Sequence, residues 1–313
     1  MTHDEPASYV TLHQNGELAD RAAAARNRLK ACVLCPRTCA VDRLAGDRGT
    51  CRTAGRAVVA SYDAHFGEEA PLVGRHGSGT IFFSFCNLGC IFCQNYDISH
   101  DGAGRPVDDG ELAGMMLALQ HAGCHNINFV TPSHVVPQIL GALEIAAARG
   151  LRVPLVYNTS GYDRVRTLRL LEGVIDIYMP DFKFWDPQVA ERLAGAADYP
   201  ERTRRAVREM HRQVGDLVVD EAGIARRGLL VRHLVMPEGL AGTREIMNFI
   251  AGEISADTYV NVMGQYRPCG RAGEVEALSR PLRPTEFQQA LRLARQAGLR
   301  RLDRPRRVFA VEC

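Results

Sequence analysis

From residue 79 onward the chain repeats one hydrophobic pattern. Short β-branched or apolar runs at Gly79 to Phe85, Asn126 to Thr131, Pro154 to Thr159, Val174 to Met179, Leu229 to Met236 and Thr258 to Met263 read as strands. Helical spacing appears between them at Gly110 to His121 and Val135 to Arg149, and an amphipathic helix is predicted over Pro284 to Gly298. Strand–helix alternation makes a parallel sheet with right-handed crossovers, so the expected class is α/β. Six strands suit an open, partial (β/α)6 barrel, with Arg307 to Val311 as an additional edge strand. Function in such barrels collects at the carboxyl ends of the strands, which directs attention to the residues there.

Composition narrows the picture further. A chain of 313 residues with 46% hydrophobic content can bury a full core, and a net charge of +2 argues against a nucleic-acid or membrane footprint. Ten cysteines with no signal peptide and no apolar run near membrane length point to a cytoplasmic chain whose thiols serve metals. The lysines are Lys30 and Lys183 only, against 38 Lys plus Arg, which makes Lys183 at a strand end worth notice.

The first strand runs into Cys86-Asn87-Leu88-Gly89-Cys90-Ile91-Phe92-Cys93, a C-x3-C-x2-C loop. A closed zinc site or an electron-transfer cluster wants four protein ligands, whereas three thiolates on a cubane leave one iron open. Three structural cysteines, or two zinc ligands and a bystander, are the other reading. The spacing, the aromatic Phe92 before the last cysteine and the preceding strand resemble the radical S-adenosylmethionine (radical SAM) enzymes. The resemblance implies a 4Fe-4S cluster on Cys86, Cys90 and Cys93, with SAM bound at the open iron. It also implies the partial barrel and reductive cleavage of SAM to a 5'-deoxyadenosyl radical that abstracts hydrogen. The cofactors carry that chemistry, and the protein aims it. An electron donor such as flavodoxin or ferredoxin is the implied partner.

The same resemblance places SAM along the strand ends. The second ends in Thr131-Pro132-Ser133, which keeps the proline of the family's Gly-Gly-Glu-Pro-like turn without its glycines or acid; Thr131 and Ser133 would substitute. Asn158-Thr159-Ser160-Gly161 and Asp181-Phe182-Lys183 resemble the D-T-N-G and L-D-L-K segments of pyruvate formate-lyase activating enzymes, with Asn158 in place of the first acid. Asp181 and Lys183, two apart on one strand face, would meet the ammonium and carboxylate of SAM. A structural salt bridge is the alternative. By resemblance, Asn158, Thr159, Met179 and Asp181 also map to a monovalent-cation site. The Arg232 segment resembles the activase R-x-V-V-x-P-G run, and for Arg232 and His233 a buried structural role competes with a catalytic one. After the last strand, Gln265 and Tyr266 would face adenine or substrate.

Cys32, Cys35, Cys39 and Cys51 form C-x2-C-x3-C-x11-C, a four-thiolate knuckle able to hold zinc or a second 4Fe-4S cluster. Similar segments precede the radical SAM motif in a subgroup of activating-enzyme homologues. A division follows into an extension, residues 1–60, and a barrel, residues 61–313. The glycine-rich run Gly74 to Gly79 precedes a strand, so it is no dinucleotide loop. Cys124, Cys269 and Cys313 have no sequence partners; Cys269, after the last strand, could face the site, although a passive thiol is the better reading. The functional expectation is a radical SAM oxidoreductase resembling glycyl-radical-enzyme activases. A radical enzyme acting on a peptide or small molecule, and an iron–sulfur electron carrier or metal-binding module without chemistry, remain as alternatives.

Overall fold

The computed structural model describes residues 7–303. The possible strand at Arg307 to Val311 and Cys313 lie outside them. Two helices, α1 (Tyr9–Gln14) and α2 (Glu17–Asn27), lead into the cysteine-rich segment. Strand β1 (Ala57–His65), helix α3 (Ala70–Val73) and strand β2 (Ser78–Phe83) follow, then β3 (Arg105–Val107), α4 (Asp109–His121) and β4 (Ile127–Val130). Next come α5 (Val136–Ala148), β5 (Leu155–Thr159), α6 (Val165–Leu168) and β6 (Ile177–Pro180). Helices α7 (Pro187–Ala194) and α8 (Tyr199–Val214) precede β7 (Val218–Val219) and β8 (Ala225–Leu234). The described chain ends with α9 (Thr243–Phe249), β9 (Tyr259–Met263), α10 (Pro284–Gln296) and β10 (Arg301–Leu302).

The strands order as β10-β9-β8-β6-β5-β4-β2-β1-β3, with β7 on β8. From β2 to β10 the ladder is parallel, while β1 and β3 run antiparallel along the β2 edge. The sheet is therefore an open, unclosed barrel, as the alternating pattern predicts. Sequence reading missed β1 and β3, because the apolar run of β1 is only Ala57 to Ala60 before Ser61, Tyr62 and Asp63 take an exposed edge, and β3 is three residues long. The fourth parallel strand starts later than expected. Val174 and Ile175 are held in a turn by Leu171, and the buried Asp176 carboxylate accepts the amides of Leu155 and Ser8, both at 2.9 Å.

Strand alternation decides what faces the barrel interior. Val156, Ile177, Met179 and Leu230 pack together there with Leu72 of α3, forming an apolar plug. The next inward positions along the same strands are Asn158, Asp181 and Arg232. Outward residues such as Tyr157, Tyr178 and Leu229 join the larger core beneath the helices, which also takes in Tyr9, Leu18 and Ala25 from the N-terminal helices. Because β1 crosses residue 60 and these helices share the barrel's core, the unit we propose as a metal knuckle is narrower, from Cys32 to Cys51. Helix α4 begins sharply at a capping box: Asp108 accepts the Glu111 amide, and Glu111 accepts the Asp108 amide, both at 2.9 Å. No helix of the described residues is long and apolar enough to cross a membrane.

Candidate functional site

The loop after β2 is pinned from outside, leaving its thiols to face inward. Phe85 takes a left-handed conformation (φ 68°) that turns the chain out of the strand. Asn87 donates to the Tyr162 carbonyl at 2.7 Å, and the Ile91 amide donates to Leu193 at 3.0 Å. Arg37, from the N-terminal knuckle, donates to the carbonyls of Asn87 and Leu88 at 3.0 Å each and to Ala194 at 2.9 Å. Held this way, Cys86, Cys90 and Cys93 all line one cavity of about 350 Å³ at the carboxyl ends of the strands. Burial pushes the Cys90 thiol well up, with Lys183 pulling the other way, and burial likewise raises Cys86. These thiols stay protonated unless a metal takes the proton's place.

The same cavity is lined by a charged group built from three strand ends. Asp181 Oδ2 accepts Lys183 Nζ at 2.6 Å, and its Oδ1 accepts Arg232 Nε at 2.9 Å. Arg232 also donates to Asn158 Oδ1 at 2.9 Å and lies 3.5 Å from Glu68. Burial opposes the Asp181 charge, but Arg232 and Lys183 more than offset it, so the carboxyl sits below the usual range. Lys183 is likewise held charged: burial works against it, and the Asp181 carboxylate outweighs burial. Tyr199 fixes the two loops relative to each other, its hydroxyl accepting the Lys183 amide at 2.9 Å and donating toward Ser160 O at 2.8 Å and Asp181 O at 3.1 Å. Gly161 is required between them, since a Cβ there would lie 2.4 Å from the Asp181 carbonyl.

A radical SAM superfamily model matches residues 80–223, from β2 through β7, including the cysteine loop, Asp181 and Lys183. The chain is also 34% identical over 283 residues to uncharacterized protein MJ0674 of Methanocaldococcus jannaschii, an alignment covering 88% of this chain and 77% of that protein. The chain belongs to the radical SAM superfamily. Membership implies a 4Fe-4S cluster, SAM and an enzyme of SAM-dependent radical chemistry. The donor set fits such cofactors, with three thiols from one loop and an ammonium–carboxylate pair lining a single cavity.

Other residues singled out in the sequence divide around this radical SAM cavity. Thr131, Asn158, Thr159 and Gln265 line it. Ser133 does not; its hydroxyl meets Thr159 Oγ1 at 2.9 Å from behind, and Thr159 in turn donates to the buried Asp163. Met179 belongs to the apolar plug, and the position between Asn158 and Asp181, where the resemblance suggested a monovalent cation, holds the Arg232 guanidinium. His233 faces away, bridging Phe182 O and Thr243 Oγ1 at 2.8 Å each, and burial pushes it down to about 4, so it is neutral. Tyr266 donates to Leu278 O at 2.8 Å, and Cys269 is buried without lining the cavity.

Sequence reading missed His65, at the end of β1, and Glu68, just after it, which line the cavity, and the adjacent Glu69, which lines a neighbouring one with Asn261. His65 lies 3.4 Å from Glu68, and Glu69 accepts Asn261 Nδ2 at 2.8 Å. Burial, reinforced by the Glu68 charge and only partly countered by Arg232, pushes the Glu69 carboxyl up to about 7. A raised acid holds its proton better folded than unfolded, so its contribution to stability is whole below the unfolded value and is lost as pH climbs through 7. Glu69→Gln is therefore expected to stabilise the protein at pH 8 by on the order of 2 to 3 kcal/mol, with little effect near pH 4.5. Urea unfolding at both pH values checks this; an unaltered pH dependence would contradict it.

The four N-terminal cysteines also come together. Cys32, Cys35, Cys39 and Cys51 line a small second cavity with Arg43 and His134. Burial, and the proximity of the other three thiols, push Cys35 up to about 12 although a backbone amide counters them. The Thr50 amide points at Cys39 Sγ, 3.4 Å away. Among the described residues, no three His, Cys, Asp or Glu side chains already stand at the spacing of one bound ion, so the thiols of either set would close in on what they bind.

Proposed function

We propose that this chain is an activating-type radical SAM enzyme, which cleaves SAM reductively and takes hydrogen from a polypeptide segment offered at the cavity mouth. The observation that supports it is a single cavity lined both by three thiols and by the Asp181–Lys183–Arg232 group. At about 350 Å³, it lies at the small end of the roughly 300–1,000 Å³ of ligand sites, so SAM takes up most of it and the hydrogen donor must reach in from outside. A backbone segment can do so, as in the glycyl-radical-enzyme activases of the pyruvate formate-lyase type.

In this reading Cys86, Cys90 and Cys93 hold the 4Fe-4S cluster. Asp181 and Lys183 take the ammonium and carboxylate of SAM, and Asn158, Thr159, Thr131 and Gln265 complete its walls, with Ser133 supporting Thr159. When bound, these cofactors supply one electron and a 5'-deoxyadenosyl radical. Arg232 keeps Asp181 ionised and Asn158 oriented, and Tyr199 fixes the spacing of the two loops. The four N-terminal cysteines hold a second metal centre, zinc or 4Fe-4S. The implied partners are an electron donor such as flavodoxin or ferredoxin and a glycyl-radical protein.

The test is electron paramagnetic resonance on source-cell lysate treated anaerobically with reduced enzyme and SAM. A persistent protein-bound glycyl doublet is expected. No such doublet, with 5'-deoxyadenosine formed in response to a low-molecular-weight fraction, would replace the activating reading by a small-molecule one.

A further inference from the structure

Arg43 is only 1% exposed, and its donors all go to uncharged or weak acceptors. Nε and Nη2 reach Ala54 O at 3.1 and 2.9 Å, and Nη1 reaches His134 O at 2.8 Å and points at Cys32 Sγ, 3.8 Å away. Among the described residues no carboxylate lies within ion-pair distance of it. Arg232, the guanidinium of the SAM cavity, is less enclosed at 18% exposed and yet has both Asp181 and Glu68. A buried charge without an opposite charge is strongly destabilising, even when its hydrogen bonds are made. The groups beside Arg43 able to become negative are the four thiols that share its cavity.

Neutral thiols offer no compensation, but a coordinating thiol is deprotonated outright. Zinc, or an oxidised 4Fe-4S core, brings two positive charges to four thiolates, and either leaves the centre with a net charge of two minus. We infer that Arg43 is the built-in countercharge of a doubly negative four-thiolate metal centre at Cys32, Cys35, Cys39 and Cys51. The inference rests on reading these cysteines as a metal set. It adds a positioning residue outside the ligands and a reason for a cation in the core. Arg37, between Cys35 and Cys39, then ties the centre to the Cys86 loop through the Asn87 and Leu88 carbonyls.

The experiment uses the full chain, prepared anaerobically, as parent, Arg43→Met, Arg43→Lys, the Cys32/Cys35/Cys39/Cys51→Ser variant, and that variant with Arg43→Met. Iron, zinc and sulfide per chain identify the metal, its loss to a chelator measures retention, and urea midpoints measure stability. Arg43→Met is expected to weaken retention at the N-terminal centre about 10- to 100-fold, the scale for residues supporting metal ligands, with Arg43→Lys in between. Arg43→Met should lower the urea midpoint in the parent and raise it in the four-serine background, where the guanidinium has nothing to compensate. That reversal of sign separates a countercharge from a clamp on carbonyls. An equal fall in both backgrounds overturns the inference. Equal metal in the parent and the four-serine variant removes the centre itself, and Arg43's role with it. Should Arg43→Met not fold in the parent, the direction of its effect in the four-serine background still decides.

Discussion

Alanine at Cys86, Cys90 or Cys93 is expected to abolish SAM cleavage and the SAM-responsive cluster signal while leaving the polypeptide folded. Three thiols face one cavity from one loop, so losing any one leaves two, too few to hold a cubane while presenting an open iron. The loop's own position does not depend on the metal, because Asn87, Ile91 and Arg37 fasten it to Tyr162, Leu193 and neighbouring carbonyls. Loss of chemistry should therefore come without loss of fold. Cys124→Ala serves as the control, being a buried thiol that lines neither cysteine cavity. Anaerobic reconstitution followed by iron analysis, electron paramagnetic resonance with and without SAM, and 5'-deoxyadenosine formation gives the readout. If all three variants keep iron and cleave SAM like the parent, Cys86, Cys90 and Cys93 are not the cluster ligands.

How much of this was legible in the sequence follows from which forces act locally. The parallel strands were readable because both of their faces are covered, so β2 and β5 appear as nearly continuous apolar runs. The cysteine loop and the Asp181–Lys183 pair were readable because their spacing is set within a few residues. Arg232 was ambiguous: an arginine within the apolar stretch of β8 does not reveal which face it takes, and only its parity with Leu230 turns it into the cavity. His65, Glu68 and Glu69 were invisible for a different reason. They sit on a segment with no motif of its own, and only the antiparallel return of β1 along β2 brings that segment to Arg232 and Asn261. Arg43 showed nothing in sequence, since burial of a lone arginine is a property of the assembled core.

The charged group that shares the cavity with the cysteines gives the second large effect. Asp181→Asn leaves Lys183 and Arg232 as two enclosed cations whose shared carboxylate is gone, with Glu68 at 3.5 Å from Arg232 the remaining acid contact. Breaking such a buried pair costs about 3 to 5 kcal/mol, a large part of the stability of an ordinary domain. Because Lys183 and Arg232 hold the Asp181 carboxyl below its usual range despite burial, its contribution is complete above the unfolded value near pH 4 and is lost as pH falls through the lower folded value. Asp181→Asn should accordingly narrow the difference in stability between neutral and acidic pH. Lys183→Met is the milder change, since Arg232 still pairs with Asp181. It should keep the fold and the cluster while weakening SAM binding about 10- to 100-fold, the equivalent of roughly 1.5 to 3 kcal/mol for a charge-assisted contact. Equilibrium SAM binding to the anaerobically reconstituted variants, alongside urea unfolding at pH 7 and well below pH 4, separates the two roles. Parent-like SAM affinity in both variants would take this pair out of the SAM site and leave it a structural bridge between the ends of β6 and β8.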